Sequence, residues 1–489
     1  MIRLSAATLP QIRSAATPRY DRAALKPGIV HFGIGNFHRA HQAVYLDRLF
    51  SMGRDHDFGI VGAGVMAGDQ KMREALTGQD LLTTVVEQSA EASEARVTAP
   101  MVGFLPIGDT TAILARLTDP ETRIVSLTVT EGGYFVDSTG VFNPQHPDIV
   151  HDGERPTAPR TVFGLIAAAL SARRASGTAP FTVMCCDNIP HNGSVTRAAV
   201  VGTAGLHDAA LASWIASEVA FPNAMVDRIT PATGERERRL CAENFGIEDA
   251  WPVFCEDFTQ WVLEDTFPSG RPALEEVGVE FVADVTPYEL MKIRILNGGH
   301  AVIAYPAGLL GITYVHEAMA HPSIAAFLAK ITRDEIIPTV PPVPGTSLAD
   351  YARLIETRCA NPKIGDTVRR LCLDGSNRQP KFIVPTLADR IAEGRSITGL
   401  ALESALWCRY CVGETEAGEA IAPNDPNWER LQPVARAAQT DPAAWLGQSE
   451  IYGALGSAPV LRERFAAALA SLKEAGVEAT LQRYLDDDL

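Results

Sequence analysis

The sequence predicts a doubly wound α/β domain followed by an all-helical domain, with the boundary near Asp284 (1–284 and 285–489). Three observations carry this. Short apolar runs recur through the first half, each ending in a glycine pair or a polar loop, with a helical pattern between two of them. That alternation marks right-handed βαβ units and a mostly parallel sheet. Beyond Asp284 the β-branched runs thin out and helical periodicity takes over. Finally, 489 residues, 46% of them apolar and 21% charged, are enough for two or more real cores and exclude a disordered or disulfide-dominated chain.

From the N-terminus, residues 28–32 (GIVHF) are the first strand candidate. They lead into Gly33-Ile34-Gly35 and a helix-like stretch at 37–50. Residues 58–61 form a second β-rich run ending in Gly62-Ala63-Gly64, and 124–130 (IVSLTVT) and 181–186 (FTVMCC) are further buried strands. Between the last two, Pro156 and Pro159 introduce a helical pattern over 162–175. In the second half, 288–304, 324–337 and 460–476 carry helical periodicity, and the Pro-rich stretch 338–344 separates two of these helices.

Lys plus Arg number 43 against 59 Asp plus Glu, a net charge of −16, which argues against general binding to nucleic acid or an anionic membrane. The first 13 residues lack the apolar core of a secretory signal, and the most apolar stretches, 162–170 and 301–310, are too short to span a bilayer. The eight cysteines are scattered, the pattern of reduced cytosolic thiols rather than of a disulfide framework. Cytoplasm is the expected compartment. Cys408-x-x-Cys411 is the only C-x-x-C and has no second pair, so it reads as two buried helix thiols, and no metal is expected.

Gly33-x-Gly35-x-x-His38 follows a strand and precedes a helix. Glycines there let the backbone approach a pyrophosphate, which a helix N-terminus attracts. The candidate cradle is Gly33, Ile34, Gly35, Asn36, Phe37, His38 and Arg39, with His38 where the usual fingerprint has its third glycine. A plain βα turn would use the same glycines, and the loop alone leaves both readings open. Asp69, after the second strand, is the carboxylate placed to accept from an adenosine ribose, as NAD requires; it could equally cap its own helix. Lys71 and Arg73 nearby leave NADP open.

In YELMKIRILNGGHAVIA (288–304), a helix advancing about 100° per residue sets Lys292, Asn297 and His300 within an arc of about 140°. A lysine with a lowered pKa is a general base, and an asparagine offers neutral N–H donors to a developing alkoxide. The same face also fits a snorkelling lysine, an exposed asparagine and a satisfied core histidine. The polar loop Cys186-Asp187-Asn188-Ile189-Pro190-His191-Asn192-Gly193 follows a buried strand, where open α/β sheets hold ligands, although a simple turn uses the same residues.

Six motifs in order, GIGNFHRAHQA (33–43), SLTVTEGGY (126–134), CDNIPHNG (186–193), FPNAMVDRITP (221–231), GVEFVADVTPYELMKIRILNGGH (278–300) and CLDGSNRQPKF (372–382), resemble the mannitol 2-dehydrogenase family of polyol-specific long-chain dehydrogenases, from about residue 30 past 420. The resemblance implies a Rossmann-type N-terminal domain, a mainly helical C-terminal domain and metal-independent hydride transfer between NAD and a polyol or ketose, D-mannitol and D-fructose first, with D-arabinitol and D-sorbitol open. It implies Lys292 as general base, Asn188 and Asn297 as alkoxide donors, and His300 as a substrate-positioning group. It further implies Asp227, Arg370 and Arg378 as polyol contacts and Glu131 near the site. Arg378 stands where the family carries lysine. Family members include monomers, and the sequence leaves the oligomeric state open. Two other functions stay in view. Hexuronate reduction would call for a cation near the substrate end, where Ile189-Pro190-His191-Asn192 offers none that is fixed. A non-catalytic NAD sensor would not need Lys292, Asn188, Asn297 and His300 together.

Overall fold

The computed structural model describes residues 1–136 and 141–489. The chain folds as two compact units, Met1–Val285 and Thr286–Leu489.

The first unit is built on a five-stranded parallel sheet of β1 (Pro27–Phe32), β2 (Gly59–Ala63), β3 (Met101–Phe104), β4 (Ile124–Leu127) and β5 (Thr182–Cys185). Its order is β3-β2-β1-β4-β5, the doubly wound order that reverses at β1. The register sets Phe32 beside Ala63 and Leu127, and Leu127 beside Cys185, so these four strands end level. The candidate loops after β1, β2, β4 and β5 leave the sheet along that carboxyl edge. All residues of β2, β4 and β5 are buried, as expected of parallel strands covered on both faces. The helix Val162–Ser176 covers one face, opening on a Thr161 cap and closing on Gly177 at φ 73°.

Of the expected elements, one strand ends early and one helix is broken. The strand at 124–130 stops at Leu127 because the Val129 and Thr130 N–H groups donate to the Asp187 carboxylate instead of to a neighbouring strand. The helix at 37–50 is two helices, Asn36–Ala40 and Gln42–Ser51, broken at His41 (φ −117°, ψ −93°). The buried Arg228 guanidinium takes the Ala40 carbonyl at 2.6 Å, and His41 Nε2 bonds the Gln260 carbonyl at 3.0 Å, so tertiary bonds replace helical ones. The hairpin Thr83–Gln88/Ser93–Thr98 and the short strand β3 appear only in the structure; charged and glycine residues obscure their apolar alternation.

Among the described residues no β-strand follows Val282. In the second unit a long helical rod starts at Thr286 and ends at Leu309, and Thr398–Cys411 packs along Pro459–Leu485, which kinks at Gly476 (φ 81°). Tyr305, Trp407 and Trp445 meet at its centre, with the two tryptophan rings 4.8 Å apart. On the helix Gly375–Phe382, next to Arg378, Gln379 donates to Glu403 at 2.5 Å; burial pushes the Glu403 carboxyl up to about 8, so a neutral acid anchors that helix. No helix among the described residues is long and apolar enough to cross a membrane.

Candidate functional site

Beneath the glycine loop the backbone leaves no choice of residue at Gly33. Its φ is +95°, and a Cβ there would lie 2.0 Å from the Thr128 carbonyl oxygen. That carbonyl belongs to the neighbouring strand's loop, so the close approach ties the two loops together. His31, fully buried, reinforces the tie: Nδ1 is 2.7 Å from Ser126 Oγ, and Nε2 reaches Thr128 Oγ1 at 2.9 Å and the Gly33 carbonyl at 3.2 Å. Burial drives its pKa down to about 3, so the ring is neutral. Gly35 differs: a Cβ there would meet nothing closer than the Gly33 oxygen at 3.9 Å, so its backbone faces open space.

The seven predicted cradle residues divide in function. His38 is buried and stacks on His31, ring centroids 3.6 Å apart; desolvation and the neighbouring histidine hold it neutral. The third fingerprint glycine serves close helix–strand packing, and here a flat ring stack occupies that position. Asn36 donates to the Pro231 carbonyl and Thr233 Oγ1, both at 2.9 Å, and accepts from Arg39 Nη2 at 2.8 Å. Arg39, buried and lowered to about 10 by desolvation, donates to the Gly35 and Trp251 carbonyls. Phe37 stacks on His41 at 4.8 Å, and Ile34 is buried. These side chains build the loop. What it offers a phosphate is backbone, from Gly33 into the first turn beginning at Asn36.

Beyond β2, Asp69 folds back over the strand end. Its Oδ2 accepts the Met66 N–H at 3.2 Å, and a Cβ on Gly64 would lie 2.6 Å from it. Desolvation raises the half-buried carboxyl. Asp69 is thus the first residue of the helix Asp69–Thr77, and its side chain serves the loop before it. The two cations that left NADP open are occupied: Lys71 lies over the Trp251 ring at 5.5 Å, and Arg73 donates to the Phe104 and Leu105 carbonyls. An open backbone at Gly35 and an acidic rather than basic group past β2 fit NAD.

At β5 a residue absent from the sequence-derived set does the organising. Asp187 accepts from the Val129 and Thr130 N–H groups at 2.8 and 3.1 Å and from the Tyr134 hydroxyl at 2.5 Å. It holds Thr130 at φ +70°, a conformation a β-branched residue takes only when surroundings impose it. Asn188 follows, exposed at the carboxyl edge. Asn192 fastens the loop's far end by donating to the Asp187 and Ala224 carbonyls and accepting the Ala224 N–H at 2.9 Å. Asp227 ends the strand Ala224–Asp227, buried and opposite Gln260 in an antiparallel pair. The Glu131 side chain lies outside the described residues, although its backbone opens the turn Glu131–Tyr134.

In the second unit Lys292 and Asn297 bracket a π-helical segment, Lys292–Asn297, set between Thr286–Met291 and Gly298–Leu309. The Gly298 N–H reaches back five residues to the Ile293 carbonyl. An unbroken α-helix would set Lys292 and Asn297 about 140° apart. Bonding from i to i+5 widens the turn, so Asn297 comes a little over one turn above Lys292, on nearly the same side. His300 follows one α-turn later. Lys292 is 7% and Asn297 9% exposed, and His300 is half-buried. The snorkelling lysine and exposed asparagine of the alternative reading are therefore absent. Glu289, buried one turn before Lys292, is a further acid that the sequence reading passed over. Arg370 forms a bidentate pair with Asp366 while staying exposed, and Arg378 Nη1 donates to the Arg370 and Leu371 carbonyls. The two arginine candidates for polyol contact thus belong to one stretch of the second unit, and Arg378 holds Arg370's own backbone. No group of three or more metal-ligating side chains occurs among the described residues.

Residues 27–276 match the mannitol dehydrogenase Rossmann domain, and residues 284–473 match the mannitol dehydrogenase C-terminal domain. The chain belongs to the mannitol dehydrogenase family. A mannitol 2-dehydrogenase of Cereibacter sphaeroides is 60% identical over 474 residues, 97% of this chain and 99% of that protein. A mannitol 2-dehydrogenase of Aspergillus clavatus is 42% identical over 99% of both chains. Among solved structures, the Pseudomonas fluorescens mannitol 2-dehydrogenase ternary complex with NAD and D-mannitol superposes with a TM-score of 0.89 at 43% identity, over 99% of this chain and 100% of that one. A substrate-free D-sorbitol dehydrogenase reaches the same TM-score at 34% identity, covering 98% of this chain and 100% of that one. Membership of the mannitol dehydrogenase family bears out both the resemblance read from the six motifs and the fold class of a Rossmann-type domain followed by a helical one.

Proposed function

We propose that this protein is an NAD-dependent polyol dehydrogenase that interconverts D-mannitol and D-fructose. The observation that carries this is the 60% identity, end to end, to a mannitol 2-dehydrogenase, against 34% to a D-sorbitol dehydrogenase. Met1–Val285 is the cofactor-binding part, through the backbone of Gly33 to Asn36 and the Asp69 carboxylate. Thr286–Leu489 contributes the base. Bound NAD supplies the acceptor for the hydride that leaves the carbinol carbon. Lys292 takes the proton of that carbon's hydroxyl, and it is buried, as a lysine base has to be. Asn297 and Asn188 donate N–H groups to the oxygen as negative charge develops on it. His300 orients a neighbouring hydroxyl, Asp227, Arg370 and Arg378 hold the rest of the polyol, and Glu131 lies near the site. No metal is required, because donors and base supply what a Lewis acid otherwise would. All eight cysteines are buried, which supports a reducing compartment, the cytoplasm.

NADH consumption by the purified protein with D-fructose, D-fructuronate and a panel of ketoses, without added metal and then with a chelator, tests this. Chelator-resistant turnover with D-fructose preferred is the expected result. Preference for D-fructuronate would make the protein a hexuronate reductase, and NADH binding without turnover would make it a sensor. Asp69→Ala tests the cofactor assignment: with the ribose acceptor gone, kcat/KM for NAD falls about ten- to a hundred-fold against NADP, the scale of one or two charge-assisted hydrogen bonds. An unchanged NAD-to-NADP ratio would remove Asp69 from cofactor selection.

A further inference from the structure

The segment that carries Lys292 and Asn297 is held by a residue the reaction does not use. A π turn packs its backbone less well than an α turn and persists where neighbours impose it, most often at functional sites. Here the neighbour-facing group is Arg294, in the middle of the turn and 8% exposed. Two residues from Lys292, it projects from roughly the opposite side of the rod. Its Nη1 donates to the Thr339 carbonyl at 2.6 Å, and its Nη2 lies 2.6 Å from Asp389 Oδ2. These anchors belong to separate elements. Thr339 ends the short 3-10 turn Ile337–Thr339, directly after the second π segment, Thr332–Ile336; Asp389 lies on the helix Val384–Ala392. The two π segments pack against each other, and Thr339 Oγ1 donates to the Ile336 carbonyl at 2.8 Å, fixing the end that receives Arg294. A planar guanidinium held at two of its nitrogens resists rotation of the turn that carries it, which a single-point ammonium does not.

We propose that Arg294 is a positioning residue of the dehydrogenase reaction: tethered to Thr339 and Asp389, it keeps the turn wound as a π segment and so keeps Lys292 and Asn297 on one side. This rests on the reading of Lys292 as the base. If the tether goes, the rod relaxes toward α winding, and Asn297 swings away from Lys292 while the cofactor loop, in the other unit, keeps its own contacts.

The test compares Arg294→Ala, Arg294→Lys, Asp389→Asn and Lys292→Ala in D-mannitol oxidation, with active sites counted by NADH titration. Arg294→Ala should lower kcat per active site about thirty- to a hundred-fold, the cost of a misplaced reacting group, with KM for NAD within about two-fold. Arg294→Lys, still able to reach one acceptor, should recover part of that loss. Asp389→Asn, which keeps the Thr339 bond, should lose about three- to ten-fold and supplies the answer if the alanine variant does not fold. In the Lys292→Ala background, Arg294→Ala should cost little more, because the two act through one step. A loss confined to the number of active sites, an additive double variant, or Asp389→Asn and Arg294→Lys both at wild-type kcat would each overturn the proposal. Wild-type activity in Lys292→Ala would overturn the base assignment itself, a separate outcome visible in the same experiment.

Discussion

Lys292→Ala is expected to lose about a thousand-fold or more in kcat for D-mannitol oxidation while NADH still binds with wild-type affinity. General-base catalysis contributes about a hundred- to ten-thousand-fold, and Lys292 sits on the unit that does not carry the glycine loop, so cofactor affinity should not depend on it. Removal of the side chain leaves the alcohol proton with no acceptor, while the asparagine donors still stabilise the oxygen. The loss should therefore be deep but incomplete. A small primary amine supplied in solution should restore part of the rate, because it replaces the missing acceptor in the space the side chain vacates. Fluorescence titration with NADH and steady-state kinetics separate the two effects. Turnover within a few-fold of wild type would assign the proton to another group, and the buried Glu289 would be the next to test.

Much of this site was legible in the sequence because its chemistry sits where strands end. A parallel strand buried on both faces reads as an unbroken apolar run, and its end is marked by the first glycine or polar residue, so the loops after Phe32, Ala63 and Cys185 could be placed from the sequence alone. The hairpin at 83–98 could not, because Glu87, Glu94 and Arg96 interrupt the apolar alternation, and the partly buried Glu87 is matched by distant arginines, Arg48 and Arg228, as well as by Arg96 across the hairpin. The π segment was invisible for a different reason: an extra residue in one turn leaves the apolar spacing around it intact, so an arc of about 140° was read where the backbone brings Lys292 and Asn297 into near alignment. Asp187 had a signal that went unused, an acid immediately after a buried strand and beside an asparagine; what no sequence pattern shows is that its partners lie 57 to 53 positions earlier, at Thr130 and Tyr134. The side chains of Asn36, His38 and Arg39 were legible as a motif but not by job, because a motif records which residues recur and not which way they face.

Gly33→Ala and Gly35→Ala, compared side by side, separate building the cofactor loop from occupying it. At Gly33 a methyl group meets the Thr128 oxygen at 2.0 Å, and φ +95° is itself unfavourable for any L-residue by about 1–2 kcal/mol. The contact is with backbone, so it cannot be relieved by a side-chain rotation; the loop after β4 has to move, and with it the His31, Thr128 and Ser126 bonds that run beneath the glycines. Thermal stability should therefore drop, and NADH affinity should fall by about a hundred-fold or more, because the N–H groups that face the pyrophosphate are displaced together. At Gly35, with φ −92° and nothing nearer than 3.9 Å, alanine costs the free protein little. Its methyl group instead takes space that a phosphate needs for close approach to the backbone, so affinity should fall without loss of stability. Calorimetry of the free protein and NADH titration read the two variants independently. If both bind NADH as the parent does, the loop is a plain βα turn and the cofactor lies elsewhere. If Gly35→Ala alone binds normally, Gly33 matters through the fold and the phosphates are held by the helix start beyond it.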